Sequence, residues 1–383
     1  LCYLSTRDKV FPTYTFGLSS YFVSIAEEDM AINNPSSEGA SAPPLRVLGV
    51  ETSCDETAAA VVENGRAILS SVVASQVDLH AQFGGVFPEV ASRQHIITIY
   101  PIVEQALRDA HLDLSDVDAL AVTRGPGLPG SLVVGINLAK GLALGSGKPL
   151  VGINHLEGHL YSAWLYPANG EAPPEPQFPL LALIVSGGHT ELILMSDHLV
   201  YRRLGYTLDD AAGEAFDKVG RLLGLSYPGG PAIQEASIDG DPERIPFPRA
   251  WLEGTWNFSF SGLKTAVMRV VRKLQAEGRF LPVADLAASF QASVVDVLVG
   301  KTLAAAKEFK AKEILVAGGV SANRALRQAI QERASLKVHI PPIELCTDNA
   351  AMIAGAGYYR LTRGRSDSLD MDAMPTWPVS EIG

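Results

Sequence analysis

An α/β fold built as two similar lobes is what this sequence predicts, and three observations predict it. A strand, a hydroxyl-rich turn and a returning strand over residues 46–62 recur as the same grammar over residues 180–195, which reads as an internal duplication. A further strand, a diglycine bend and a helix start follow at residues 313–321. With 383 residues, 47% hydrophobic and 19% charged, the chain can bury one large core or two moderate ones. The linker chemistry of residues 171–176, Glu-Ala-Pro-Pro-Glu-Pro, sets a lobe boundary near residue 178.

Composition narrows the function. A formal net charge of -11 argues against a surface that grips nucleic acid everywhere, so any such binding must be focused on a local patch or supplied by a partner. Cys2, Cys54 and Cys346 form no CxxC pair, which indicates neither a disulfide framework nor a zinc ribbon and makes a reducing cytoplasm the default. No apolar run is expected to be long enough to span a bilayer, and no secretory signal is expected. Residues 1–44 carry no period of either kind and read as a disordered N-terminal extension, with Met30 a possible true start.

In chain order, residues 46–52 form a buried strand, 53–57 its polar tip and 58–62 the return. Residues 82–95, with His80 beside them, are too polar for a core and read as a loop. The compact loop 123–131 feeds a helix over 131–144. Residues 45–178 thus make an N-terminal lobe and 179–348 a C-terminal one, while a helical segment in 349–372, its helix running over about 350–361, packs back on the first. Within the second lobe a helix opens at Leu208 and ends before Gly224, with Asp209 and Asp210 as cap and dipole partners. Residues 227–231 form a rigid turn, and Asn323 lies in the first turn of a helix whose N-terminus suits an anion or nucleotide. Asp348 can serve as the N-cap of the last helix.

The stretch Asn154-His155-Leu156-Glu157-Gly158-His159-Leu160 holds two of only eight histidines, four residues apart. Residues at i and i+4 share one helix face, so both imidazoles can reach one ion. Asn154 is a good N-cap, Glu157 stands where a capping box wants its acid, and Leu156, Leu160 and Trp164 face the core. Two surface histidines beside a cap would show the same spacing, and a third ligand separates the readings.

Glu51-Thr52-Ser53-Cys54-Asp55-Glu56-Thr57, His155-Leu156-Glu157-Gly158-His159, Val185-Ser186-Gly187-Gly188-His189-Thr190, the run from Asp210 to Lys218, that from Tyr227 to Pro231, that from Ala317 to Arg324, and Thr347-Asp348-Asn349 resemble, in order, the signature segments of the bacterial TsaD family, the tRNA N6-adenosine threonylcarbamoyltransferases. The resemblance spans residues 46–378. It implies the actin-like ATPase (ASKHA) superfold, two duplicated RNase H-like lobes with an interlobe cleft. It implies that His155, His159 and Asp348 hold a divalent metal, usually iron, though two imidazoles and a carboxylate suit Fe(II) and Zn(II) alike. Ile184, Val185, Ser186, Gly187 and Gly188 would line the substrate, Asp217 and Gly230 would contact its ribose end, and Asn323 would meet the nucleotide.

The implied reaction transfers a threonylcarbamoyl group from threonylcarbamoyl-AMP to the exocyclic amine of the adenosine 3′ of the anticodon, in tRNAs reading codons that begin with A. No general base is assigned, and Glu157 and His189 are both candidates. Gln234 stands where many members carry an acid, a departure from the pattern that bears on the ribose contact there. Implied partners are tRNA, a TsaB-like paralogue without the metal and a small TsaE-like ATPase, in the cytoplasm. Arg269, Arg272, Lys273 and Arg279 form a basic run facing phosphates or solvent. A zinc metallopeptidase is the first rival, but its His-Glu-x-x-His places the acid differently from His-x-Glu-x-His here. A small-molecule kinase of the same superfold would need no metal-binding histidines, and a non-catalytic scaffold would lack all three ligands.

Overall fold

The computed structural model describes residues 43–382, so the N-terminal extension and Cys2 lie outside the described residues. The chain enters the fold through β1 (Arg46–Glu51), turns at Thr52 to Asp55, and returns as β2 (Glu56–Glu63) and β3 (Ala67–Ser75), an antiparallel meander. After α1 (Val77–Ala81), α2 (Pro88–Asp109) crosses over to β4 (Ala119–Gly125), α3 (Pro129–Ser146) to β5 (Leu150–Asn154), and α4 (His155–Tyr161) to the short β6 (Tyr166–Pro167). Strand order is β5-β4-β1-β2-β3-β6, with β1, β4 and β5 parallel.

The second half repeats this plan. Strands β7 (Leu180–Val185), β8 (Thr190–Asp197) and β9 (Val200–Tyr206) form the meander, followed by α5 (Ala212–Leu222), α6 (Gly229–Ala236), α7 (Ser261–Ala276) and α8 (Val283–Glu308). Then β10 (Glu313–Ala317), α9 (Arg324–Arg333) and β11 (Lys337–His339) complete a sheet of order β11-β10-β7-β8-β9. In both halves the first strand pairs antiparallel with the second and parallel with the fourth. The duplication read from two hairpins is therefore a duplication of whole sheets.

The last helix, α10 (Ala350–Thr362), lies on β1, and the sequence makes room for it. A Cβ at Gly49 in β1 would meet Ala350 O at 2.3 Å, and one at Gly357 would meet Ala121 Cβ at 2.7 Å. Small residues on both surfaces permit this approach. The helix stops at Thr362, with Gly364 at φ 72°, so the remainder of 349–372 is extended chain whose Asp367 bonds to Leu150 and Gly152. Leu156 and Leu160 of α4, Met352 and Ile353 of α10, and Leu180, Ala182 and Ile184 of β7 share one apolar core, which joins the two sheets.

Four sequence expectations are corrected. Residues 88–95 are not loop but the first turns of α2, and His80 and His95 are buried. His95 Nδ1 lies 2.8 Å from Thr57 Oγ1 and Nε2 2.9 Å from Cys54 O, so its polarity is spent inside the core, bracing the tip of the first hairpin. The helix expected from Leu208 begins at Ala212. Asp209 instead accepts from Phe260 N and Ser261 N at 2.8 and 3.2 Å, capping the start of α7 some fifty residues away, while Asp210 pairs with Lys218 at 2.6 Å. Residues 227–231 are not only a turn, because α6 starts at Gly229. Finally, α8 is long and apolar enough by length and composition to cross a bilayer, but 67% of its most apolar window is buried inside the fold, as for a core helix.

Candidate metal centre and interlobe cleft

Strand β5 ends at Asn154, whose side-chain oxygen accepts from Leu156 N at 2.9 Å and Glu157 N at 3.4 Å, and this cap fixes where α4 begins. One turn then separates His155 from His159, whose ring centroids stand 4.8 Å apart. Asp348 arrives from the other end of the chain. Asn349, not Asp348, caps α10 by accepting from Met352 N at 3.0 Å, which leaves the Asp348 carboxylate free to point at the imidazoles. Its Oδ1 lies 3.4 Å from His155 Nε2 and 3.3 Å from His159 Nε2, and one ligand atom from each of the three residues falls within 4.8 Å of the others.

Two observations make a divalent cation fit here, the donor set and the state of His159. The donor set is two imidazoles and a carboxylate. Among the described residues the fully buried His159 makes no well-aligned hydrogen bond, its Nε2 meeting only the Asp348 carboxylate at 3.3 Å, and a protein does not leave a buried imidazole so without reason. Burial pushes the Asp348 carboxyl up, but the His155 and His159 imidazoles more than offset it and hold it well below the usual carboxylate range. His155 is steadied from behind: its Nδ1 lies 3.1 Å from Glu51 Oε2 and 3.2 Å from Ser53 Oγ, so Nε2 faces Asp348. Glu51 is in turn held by Thr123 Oγ1 at 2.6 Å and Ser53 N at 2.5 Å.

The centre opens into a cavity of about 310 Å³ walled by the tips of both hairpins, Ser53 to Glu56 on one side and Ser186 to His189 on the other. A second cavity of about 420 Å³ shares Gly187, Gly319 and Thr347 with it and is lined by Asp217, Gly230, Gln234 and Asn323. Gly213 of α5 sits against the diglycine turn, where a Cβ would meet Ser186 O at 2.6 Å. Glycine-rich turns and the Asp217 carboxylate thus line two adjoining cavities between the lobes.

The family model described as TsaD, tRNA N6-adenosine threonylcarbamoyltransferase, matches residues 67–355. The chain belongs to that family. Proteins of the same description from Thermomicrobium roseum, Dehalococcoides mccartyi and Bacillus subtilis are 55%, 54% and 52% identical to it, over 87%, 88% and 86% of this chain and 96%, 100% and 95% of theirs. In fold it is similar to HypF from T. kodakarensis, with a TM-score of 0.57 at 14% identity over 84% of this chain and 49% of that one. The two sheets are those of the actin-like ATPase superfold, and this threonylcarbamoyltransferase family member carries its cleft between them.

Of the residues that the sequence singled out, His155, His159 and Asp348 converge, Ser186, Gly187 and Gly188 line the central cavity, and Asp217, Gly230 and Asn323 line the adjoining one. Ile184 and Val185 are fully buried in β7 and line neither. Asp217 accepts from Gly229 N at 2.7 Å, and burial raises its carboxyl. Asn323 caps α9 through Leu326 N at 3.0 Å and donates to Gln291 Oε1 at 2.8 Å. Gln234 accepts from Arg324 N at 2.7 Å, so a neutral side chain of this chain already fills part of the α9 N-terminus.

The two base candidates part company. Glu157 is buried away from the cleft, bonded to Arg360 Nε at 2.8 Å and Tyr201 Oη at 2.9 Å, which removes it from the reaction. His189 stands in the cavity wall, and burial pushes its imidazole down to about 4, so it is neutral near pH 7. Glu51 escaped the sequence reading as a positioning residue. Its signal was an acid at the end of an otherwise buried apolar strand.

Proposed function

We propose that this family member takes threonylcarbamoyl-AMP as its donor, with the adenylate in the cavity at Asp217, Gly230 and Asn323 and the activated carbonyl beside His155, His159 and Asp348. The observation that carries this reading is that His155, His159 and Asp348, a donor set that suits a divalent cation, meet at the mouth of a cleft walled by both hairpin tips. The acceptor is the exocyclic amine of the tRNA adenosine 3′ of the anticodon, whose attack on the carbonyl releases AMP.

His155, His159 and Asp348 would hold the cation, Fe(II) or Zn(II), which when bound supplies positive charge and Lewis acidity next to the reacting carbonyl. The chain itself does the rest. Glu51 and Ser53 orient His155, and Gly187 and Gly188 of the second hairpin tip line the cavity where the donor's charge develops, leaving room for its close approach to the backbone. His189 in the cavity wall is neutral and faces the place the attacking amine would take, but burial makes it a weak base, so its part is to position the amine.

A TsaB-like paralogue would dock on α2 and α3, which pack together and expose Ile96, Ile97, Tyr100, Val133 and Leu144. A TsaE-like ATPase would complete the assembly in the cytoplasm, where the free thiols Cys54 and Cys346 suit a reducing milieu. For tRNA phosphates, α7 offers exposed Arg269, Arg272 and Lys273.

The test is reconstitution with the two partners, tRNA and donor, followed by mass spectrometry of tRNA nucleosides and metal analysis. H155A and D348A should lose the metal and cut transfer by on the order of a hundredfold or more. Full transfer by the metal-free double variant would sink the proposal.

A further inference from the structure

On the other side of His189 lies a third cavity of about 280 Å³ that shares Pro126, Gly188 and His189 with the central one. Its floor is β8 and β9, and its roof is the C-terminal segment around Trp377. Asn154 Nδ2 donates to Trp377 O at 2.8 Å, so this roof is pinned to the start of the helix that carries His155 and His159.

One wall is unusual. Glu191 lines the cavity although only 6% exposed: its Oε1 is 3.5 Å from Arg203 Nη1, and its Oε2, shielded in this conformation, has no hydrogen-bond partner among the described residues. Leaving a buried carboxylate oxygen without a donor is costly, and such a group is kept where something else supplies the donor. Beside it, the Arg203 guanidinium lies 4.5 Å over the ring of Tyr206, a flat surface at the cavity edge, and Tyr206 is 41% exposed.

We infer that this cavity receives the acceptor adenine, turned out of its RNA stack, with Glu191 accepting a hydrogen bond from the exocyclic amine and Tyr206 supporting the ring. The inference rests on the donor placement proposed above. With the donor spanning the central cavity and the one at Asp217, the acceptor needs an entrance that the donor does not fill, and this cavity meets the central one at His189. Single-stranded loop bases are read in this way, splayed out, stacked on aromatic or guanidinium planes and bonded along their edges. A carboxylate accepts from an amino group and repels a carbonyl oxygen, so Glu191 would also reject hypoxanthine and guanine, which carry oxygen where adenine carries its amine.

The experiment uses the full chain in its assembled complex and two anticodon stem-loop RNAs, one with adenosine and one with inosine at the acceptor position. Binding is read by fluorescence anisotropy, transfer to the adenosine loop by steady-state kinetics, and donor-site affinity by AMP titration. The parent should prefer the adenosine loop by about tenfold or more. The isosteric E191Q should erase most of that preference, and both E191Q and the surface variant Y206A should raise KM for the loop about tenfold while AMP affinity and melting temperature stay put. An unchanged adenosine preference and an unchanged KM in both variants would overturn the inference. A parent that performs no transfer counts against the donor reading of the preceding section, and loop binding by parent and variants still decides this one.

Discussion

Glu51 Oε2 sits 3.1 Å from His155 Nδ1, and Glu51 is itself clamped by Thr123 and Ser53, so the first strand of the fold sets the orientation of an imidazole on the fourth helix. Partners of this kind fix the ring and its tautomer, and their loss weakens metal binding about 10- to 100-fold. E51A should therefore bind Zn(II) or Fe(II) more weakly by that factor with its circular dichroism unchanged. Unaltered affinity in a direct metal titration would show that Ser53 suffices.

The contact of Gly49 with α10 makes a second prediction. In G49V the new side chain runs into Ala350 O, and overpacking of this kind costs about 1–3 kcal/mol. Because Asp348 leads directly into α10, metal content should fall together with the melting temperature. A variant that loses stability while keeping full metal occupancy would separate the helix from the site.

Glu157 is held by Arg360 and Tyr201 in the shared core, and burial raises its carboxyl despite the Arg360 charge beside it. Removing one partner of a buried pair costs about 3–5 kcal/mol. E157A should be strongly destabilised in urea, yet its folded fraction should transfer at the parental rate per bound metal. A fall in kcat in E157Q with no loss of stability would restore Glu157 to the chemistry.

Asp209 gives a pH dependence. Partial burial raises its carboxyl, but hydrogen bonds from Ser259, Ser261 and two backbone amides outweigh that and leave it below the usual range. A carboxyl depressed in the folded state stabilises above its unfolded pKa, and the contribution is lost as pH falls through the folded one. D209N should thus match the parent's slope of stability against pH near neutrality and show a shallower decline below about pH 4, measured by urea unfolding from pH 3 to 6.

Much of the fold was legible because its signals are local. Alternation marked the two hairpins, the cap at Asn154 marked α4, and the four-residue spacing of His155 and His159 put both rings on one face. Where polar residues satisfy one another at long range, local reading failed. His95 read as loop because its partners, Thr57 and the Cys54 carbonyl some forty residues back, could not be known to surround it, and Asp209 read as the cap of its own helix because α7 lies some fifty residues on.

The sequence by itself determined the duplicated lobes, the helix bearing two histidines and the glycine-rich turns, since each follows from backbone periodicity and hydrogen bonds within a few residues. Only the tertiary structure decided that Asp348 rather than Asn349 is left free to meet them, that Glu51 stands behind His155, and that Glu191 keeps an unpaired oxygen beside a cavity next to the centre. Those relations are set by which surfaces pack together, and packing joins residues that chain order keeps nearly two hundred positions apart, as it does His159 and Asp348.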